Sequence, residues 1–221
     1  MISVAIDGPS GAGKSSMAKR LAGELGYTYV DTGSMYRAIG LHALHCGKDP
    51  KDAAAVTALL PGINLDITLE DGVQHIHLNG ADVSEAIRTE QVGMAASAVA
   101  AHPAVRAFLL DTQRSLAARQ NVLMDGRDIG TVVLPRATVK IYLTASPAAR
   151  AARRLAELCE KGQTADYPTV LADIEQRDYQ DSHRAIAPLR QAEDAILVDT
   201  SDVGIEESFA LLKSTILAHI S

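Results

Sequence analysis

Gly8-Pro9-Ser10-Gly11-Ala12-Gly13-Lys14-Ser15 decides how the chain reads. It fills every required position of G-x-x-x-x-G-K-[ST]. Before it lies a short β-branched apolar run, residues 2–7, with the composition of a buried strand. After it, from Lys14 to Leu25, Met17, Leu21 and Leu25 recur at helical spacing, and Gly26 supplies a stop. Strand, glycine loop and helix in that order make a phosphate cradle. Glycines let backbone N–H groups turn inward around phosphate oxygens, and the helix offers its positive end. Lys14 is expected at the surface of the site, reaching the β- and γ-phosphates, and the Ser15 hydroxyl is placed to ligate Mg²⁺. The competing reading is a glycine-rich turn that matches by chance.

Outward from the loop, strands alternate with helices. Strands are expected at Thr28–Val30, Val122–Met124, Val139–Leu143 and Ala195–Val198. Helical patterns cover Ser34 to about His45, Ala95–Ala101, Ala148–Glu160, Thr169–Tyr179 and Ile205–Ala218. That alternation predicts an α/β fold, a parallel sheet with helices on both faces. One stretch breaks the rhythm. Ile63–Ile67 alternates, Glu70-Asp71-Gly72 bends, Val73–Leu78 runs back, and Asn79-Gly80 bends again. These are antiparallel hairpins, expected as a small insert at about residues 61–90 that shapes substrate choice.

Composition narrows the function. Apolar residues are 47% and charged residues 22% of the 221, which excludes a mainly disordered chain. Lys and Arg number 21 against 27 Asp and Glu, a net charge of −6, unsuited to a bulk binder of duplex DNA. Aromatic content of 4% without Trp argues against a stacking platform for single strands. Cys46 and Cys159 make neither a disulfide framework nor a metal site by spacing, which points to a reduced, cytoplasmic setting. Neither a signal peptide nor an apolar run of membrane-spanning length is expected. The seven histidines, His75 and His77 included, read as surface residues.

A phosphate loop alone does not separate a GTPase, a motor ATPase and a small-molecule kinase. The chain has no N-K-x-D guanine-reading tetrapeptide. It does carry Arg127, Arg150, Arg153, Arg154, Arg177 and Arg184 in its second half, where anions could be clamped. Transfer between two anionic substrates needs cations around both.

Several segments together resemble the bacterial cytidylate kinase family. They are Ile6–Lys14, Asp31-Thr32-Gly33-Ser34-Met35-Tyr36-Arg37, Ile87-Arg88-Thr89, Asp125–Val133, and Arg177-Asp178 with Asp181, Arg184 and Ala187-Pro188-Leu189. The likeness runs nearly end to end, to Val198-Asp199-Thr200-Ser201. Departures are small: Ser34 stands where the family often has Ala, and Pro147 and two alanines follow Ser146 where charged residues are common. The resemblance implies the P-loop nucleoside-monophosphate-kinase fold in a single domain. Its core would be residues 1–31, 103–148 and 185–221, its monophosphate-binding lobe about 32–102, and its lid about 150–166. It implies ATP-dependent phosphorylation of CMP and dCMP to CDP and dCDP with Mg²⁺. It also implies a monomer with no polymeric nucleic acid or membrane partner.

The resemblance also implies residue roles. ATP would lie on Gly8, Pro9, Ser10, Gly11, Ala12, Gly13, Lys14, Ser15 and Ser16, with Arg153 among the lid arginines that reach it. Arg37 would hold the acceptor phosphate with Tyr36 beside it, and Thr32 would hydrogen-bond base or phosphate. Arg127 would also take the acceptor phosphate. Asp128 would accept from the cytosine 4-amino group, and Ser97 and Arg106 would contact the cytosine edge. Arg177 and Asp181 would hold the ribose; Arg177 and Arg184 would neutralise the transferring group, making Lys14, Arg127, Arg177 and Arg184 the catalytic set. Asp125 stays open between holding waters around Mg²⁺ and merely shaping the turn beside Gly126. From spacing alone, Arg177, Asp181 and Arg184 share one face of a helix, where a salt-bridged surface is the plainer reading. A uridylate or shikimate kinase, or a nucleotide-gated binding module without transfer activity, remain alternatives.

Overall fold

The computed structural model describes residues 1–70, 73–160 and 162–220. The bend expected at Asp71-Gly72 lies outside the described residues. Five parallel strands form the main sheet: β1 (Ser3–Asp7), β2 (Thr28–Asp31), β6 (Val122–Gly126), β7 (Val139–Thr144) and β8 (Ile196–Asp199), in the order β2-β6-β1-β7-β8. The central strand β1 pairs with β6 and β7, and Asp7 stands beside Gly126 and Tyr142. Strand β6 is buried along its whole length, which explains its unbroken apolar start. The three strands β3 (Leu65–Glu70), β4 (Val73–Leu78) and β5 (Ala81–Asp82) form a separate antiparallel sheet. The second bend, at Asn79-Gly80, leads into β5 as the hairpins require; its extent could not be read, because two residues leave no periodicity.

Helices cover both faces. Met17, Leu21, Phe209, Leu212 and Ile216 pack from α1 (Lys14–Leu25) and α8 (Ile205–Ile220) on one side. Met35, Ile39, Val99 and Leu109 pack from α2 (Thr32–His45), α4 (Glu90–Val99) and α5 (Pro103–Arg119) on the other. Ile76 and Leu78 join this second cluster, so the small sheet shares the core of the domain. The short α3 (Ala53–Leu59) contributes Val56 to it. A pair formed by α6 (Pro147–Glu160) and α7 (Tyr167–His183) packs over a small core of its own, Ala151, Val170 and Ile174. Among the described residues no single helix is long and apolar enough to cross a membrane.

Helix starts explain the site. Asp31, Asp52, Thr89 and Asp166 cap α2, α3, α4 and α7 with side-chain oxygens. Helix α1 has no side-chain cap; it follows Gly13 in the left-handed region at φ 85°, so its first N–H groups face the glycine loop. Of the boundaries that differ from the sequence reading, two bear on the site. Helix α2 begins at Thr32 rather than Ser34, because Asp31 is the cap. Helix α7 ends at His183, and Arg184 is extended at φ −64°, ψ 142°, so Arg184 does not share a helix face with Arg177 and Asp181. A π-helical turn at Ile129–Val133, also unanticipated, follows β6.

Candidate functional site

A cleft of about 560 Å³ opens at the carboxyl ends of the parallel strands, where β1 separates β6 from β7. Ser10, Gly11, Gly13, Lys14, Ser15 and Ser16 form one wall. Thr32, Tyr36 and Arg37 enter from α2, Ser97 from α4, and Arg106 from α5. Asp125, Arg127 and Asp128 stand at the end of β6, and Arg153, Arg177, Asp181 and Arg184 close the far side. Gly8, Pro9 and Ala12 are absent from this lining. Gly8 is needed for close approach: a Cβ there would fall 1.9 Å from the Leu143 carbonyl oxygen. Ala12 is fully buried behind the loop.

Lys14 lines the cleft as expected but is far more buried than a residue at the surface of a site. It is 5% exposed, and its ammonium donates to the Pro9 carbonyl at 2.7 Å, folding back over its own loop. Burial and then the nearby Arg127 push it down to about 7. Ser15 Oγ donates to Asp125 Oδ2 at 2.7 Å, and the Tyr29 hydroxyl donates to Oδ1 at 3.0 Å. Burial, then Asp31, raise Asp125 to about 6. The carboxylate therefore lies where a cation would relieve it. Among the described residues no group of three or more His, Cys, Asp or Glu could cage a metal. One hydroxyl and one carboxylate fit instead a Mg²⁺ whose remaining ligands are phosphate and water. Thr32 Oγ1 donates to the Asp125 carbonyl at 2.8 Å, so its proton serves the frame of the site.

Arginines crowd the opposite wall. Arg127 Nε donates to Asp181 Oδ2 at 2.7 Å, and Arg184 lies 3.9 Å from the other oxygen. Burial pushes Asp181 up, but Arg127 and then Arg184 and Arg177 hold it below its ordinary value. Arg177 Nε and Arg184 Nη2 are buried and, among the described residues, have no partner. Burial, then Arg127, bring Arg177 down to about 10. Three guanidinium groups thus share one buried carboxylate, and two N–H donors are left over. A buried donor without an acceptor is costly unless a ligand supplies one, and an anion fits. Arg37 holds the Ile87 and Thr89 carbonyls at 3.1 and 3.4 Å at the cleft edge.

At the inner end Arg106 Nη2 pairs with Asp128 Oδ2, and Nη1 donates to the Ala100 carbonyl at 3.1 Å. The Arg106 guanidinium also sits 5.5 Å from the Tyr36 ring centre. Donor and acceptor side by side in a buried pocket suit the edge of a heterocycle. Arg153 donates to the Thr200 and Val203 carbonyls, which draws α6 onto the loop after β8. Arg150 is buried and bonds Ser10 O at 3.0 Å and Asp178 Oδ1 at 3.0 Å, so it braces the glycine loop rather than facing the cleft.

Three residues were given no role in the sequence reading. Arg88 lines the cleft and pairs with Asp31 at 3.2 Å. Gln74, from β4, grips the backbone of Asp31: Oε1 accepts its N–H at 2.8 Å, and Nε2 donates to its carbonyl at 3.2 Å and to Ser34 Oγ at 2.8 Å. Arg88 and Asp31 lie in segments that carry the family resemblance; nothing in the alternating strand marks Gln74.

The sequence matches a family model described as cytidylate kinase over residues 4–216. A cytidylate kinase of Rhodococcus jostii (strain RHA1) is 50% identical over 205 residues, 92% of this chain and 90% of that protein. One from Azorhizobium caulinodans is 50% identical over 208 residues, 94% of each chain. An uncharacterized protein from Eubacterium ventriosum, solved as a crystal structure, shares the fold with a TM-score of 0.55 at 10% identity over 99% of each chain.

Proposed function

The chain belongs to the cytidylate kinase family, and on that premise we propose that it transfers the γ-phosphoryl group of ATP to the 5′-phosphate of CMP or dCMP. The products are CDP or dCDP and ADP. The observation that carries this reading is the pair of partnerless buried nitrogens, Arg177 Nε and Arg184 Nη2, in the same cleft as the glycine loop. A site for one nucleotide needs a single anion cradle; the unpaired donors here support a second.

An oxygen of the acceptor phosphate attacks the γ-phosphorus, and the bond to the β,γ-bridging oxygen breaks in line. That oxygen is already ionised, so no general base is needed; catalysis is alignment and charge. Lys14 and the free N–H groups of α1 hold the donor phosphates, with Ser10 to Ser16 around them. Arg37 and Arg127 hold the acceptor phosphate, and Arg177 and Arg184 neutralise the group in flight. Asp181 fixes Arg127 and contacts the ribose with Arg177. Asp128, Arg106 and Ser97 read the base. Ser15 and Asp125 would hold Mg²⁺, which when bound offsets the charge of the donor phosphates.

In this reading residues 1–31, 103–148 and 185–221 are the core, 32–102 the acceptor lobe, and 150–166 a lid that brings Arg153 to ATP. The two free, exposed cysteines fit a reducing cytoplasm, and the chain works as a monomer on free nucleotides. The chemistry is tested by incubating the protein with γ-³²P-labelled ATP, Mg²⁺ and CMP, and separating the products. Label in CDP is the expected result; label only in inorganic phosphate would overturn transfer.

A further inference from the structure

Asp7 ends β1 and stands directly before Gly8. Its carboxylate is buried, 4% exposed, and among the described residues it makes no ion pair. Both oxygens go to backbone instead. Oδ1 accepts the Ile129 N–H and Oδ2 the Gly130 N–H, each at 2.7 Å. These groups open the π-helical turn Ile129–Val133, which has no cap from its own preceding residue, Asp128. The cap comes from a neighbouring strand, 122 residues away in the chain.

The consequence lies in the residues between. Gly126 is held in the sheet beside Asp7, and Ile129 is held by the Asp7 side chain. Arg127 and Asp128 are strung between these two fixed points, and Asp128 takes an uncommon backbone setting, φ −145°, ψ 25°. There is no slack. A Cβ on Gly126 would lie 2.7 Å from both Ile129 Cδ1 and Thr32 Oγ1, and one on Gly130 would lie 3.1 Å from Lys140 Cδ and 3.4 Å from Asp7 Oδ2. We propose that Asp7 is a positioning residue that sets the spacing between the donor phosphate loop and the acceptor-side pair Arg127 and Asp128. It does not line the cleft. A carboxylate suits the task because two N–H groups point at it, whereas an amide would turn an NH₂ toward one of them. Burial, the larger effect, and the Asp128 charge raise Asp7 to about 6 against the pull of the two backbone bonds. That is a burial cost with no ion pair in return.

The inference rests on the proposed function, and the test separates the two. Asp7→Asn and Asp7→Glu are compared with the parent by steady-state kinetics on CMP and UMP. Amide hydrogen exchange at Ile129 and Gly130 is followed by NMR. A misplacement of about 1 Å predicts a loss of about 10²-fold in kcat/KM for CMP. The CMP-over-UMP ratio should fall, the KM for ATP should stay within about twofold, and exchange should quicken at Ile129 and Gly130 but not in α1. A folded variant with the parent's CMP constants and base ratio overturns the proposal. So does equal loss of the ATP and CMP constants, or failure of both variants to fold, which would make Asp7 a stability residue only. A parent that leaves CMP unphosphorylated overturns the function instead, while exchange at the two amides still tests the cap.

Discussion

Ser15 Oγ donates a 2.7 Å hydrogen bond to Asp125 Oδ2, tying the first turn of α1 to the end of β6. The two residues lie 110 positions apart in the chain and meet only because β1 and β6 are neighbours. Together they offer a hydroxyl and a carboxylate in the cleft beside the glycine loop, a donor set that fits Mg²⁺ with phosphate. Asp125→Asn should lower kcat by about 10²-fold and raise the Mg²⁺ concentration needed for half the maximal rate. Initial rates across a Mg²⁺ titration check this; an unchanged half-point would rule Asp125 out as a partner of the ion.

Lys14 makes a second prediction, through protons. Free, it is held down to about 7, so at pH 8 it is mostly neutral. Donor phosphates favour its charged form and raise its value again, so binding takes up a proton from solution. Calorimetry of ATP binding at pH 8 in Tris and in HEPES should give heats that differ by nearly one proton's worth of buffer ionisation. Lys14→Ala should abolish the difference and nearly all transfer. Equal heats in the two buffers for the parent would contradict the assignment.

The Arg106–Asp128 pair bears on base choice. Cytosine has an amino donor where uracil has a carbonyl, so Asp128→Ala should narrow the CMP-over-UMP ratio of kcat/KM by about 10²-fold. Arg106→Ala removes a cation from a buried carboxylate. It should therefore disturb Asp128 as well, and the double variant should lose less than the two single losses combined. Additive losses would mean that the two side chains act independently, against the geometry.

Gln74 links the small sheet to the acceptor side. Gln74→Leu would strand the N–H of Asp31, whose carbonyl keeps the Ser34 hydroxyl at 2.6 Å, a cost of about 1–3 kcal/mol. Thermal unfolding should show a lower Tm, and the KM for CMP should rise more than that for ATP. A variant with the parent's Tm and both constants would show that Asp31 needs no such clamp.

The fold was legible because its signals are local. The glycine loop, Gly26 and the apolar strand runs each state their element within a few residues, and α1 spans the expected Lys14–Leu25. Most residues expected in the site line one cleft, because they stand just beyond parallel strands or on helices facing those strand ends. Helix α3 and the extent of α5 were not read, and what escaped at the site depends on distance in sequence. The π-helical turn is held by Asp7 from another strand, and Gln74 acts on Asp31 across 43 positions. The depth of Lys14 escaped for a related reason. The loop motif gives its place in the cleft, while burial depends on how Pro9 and Asp125 close around the ammonium. Spacing alone sets Arg184 on a helix face with Arg177 and Asp181, although the expected helical pattern stops at Tyr179 and the observed helix at His183.

Acceptor choice tests the central claim most directly. With saturating ATP and Mg²⁺, ADP release is followed as CMP, dCMP, UMP, AMP and shikimate are varied in turn. The account predicts the highest kcat/KM for CMP or dCMP, with UMP lower by a factor of about 10² or more and little release with AMP or shikimate. Equal or better turnover of UMP, AMP or shikimate would contradict it, and so would ADP release that ignores the acceptor altogether.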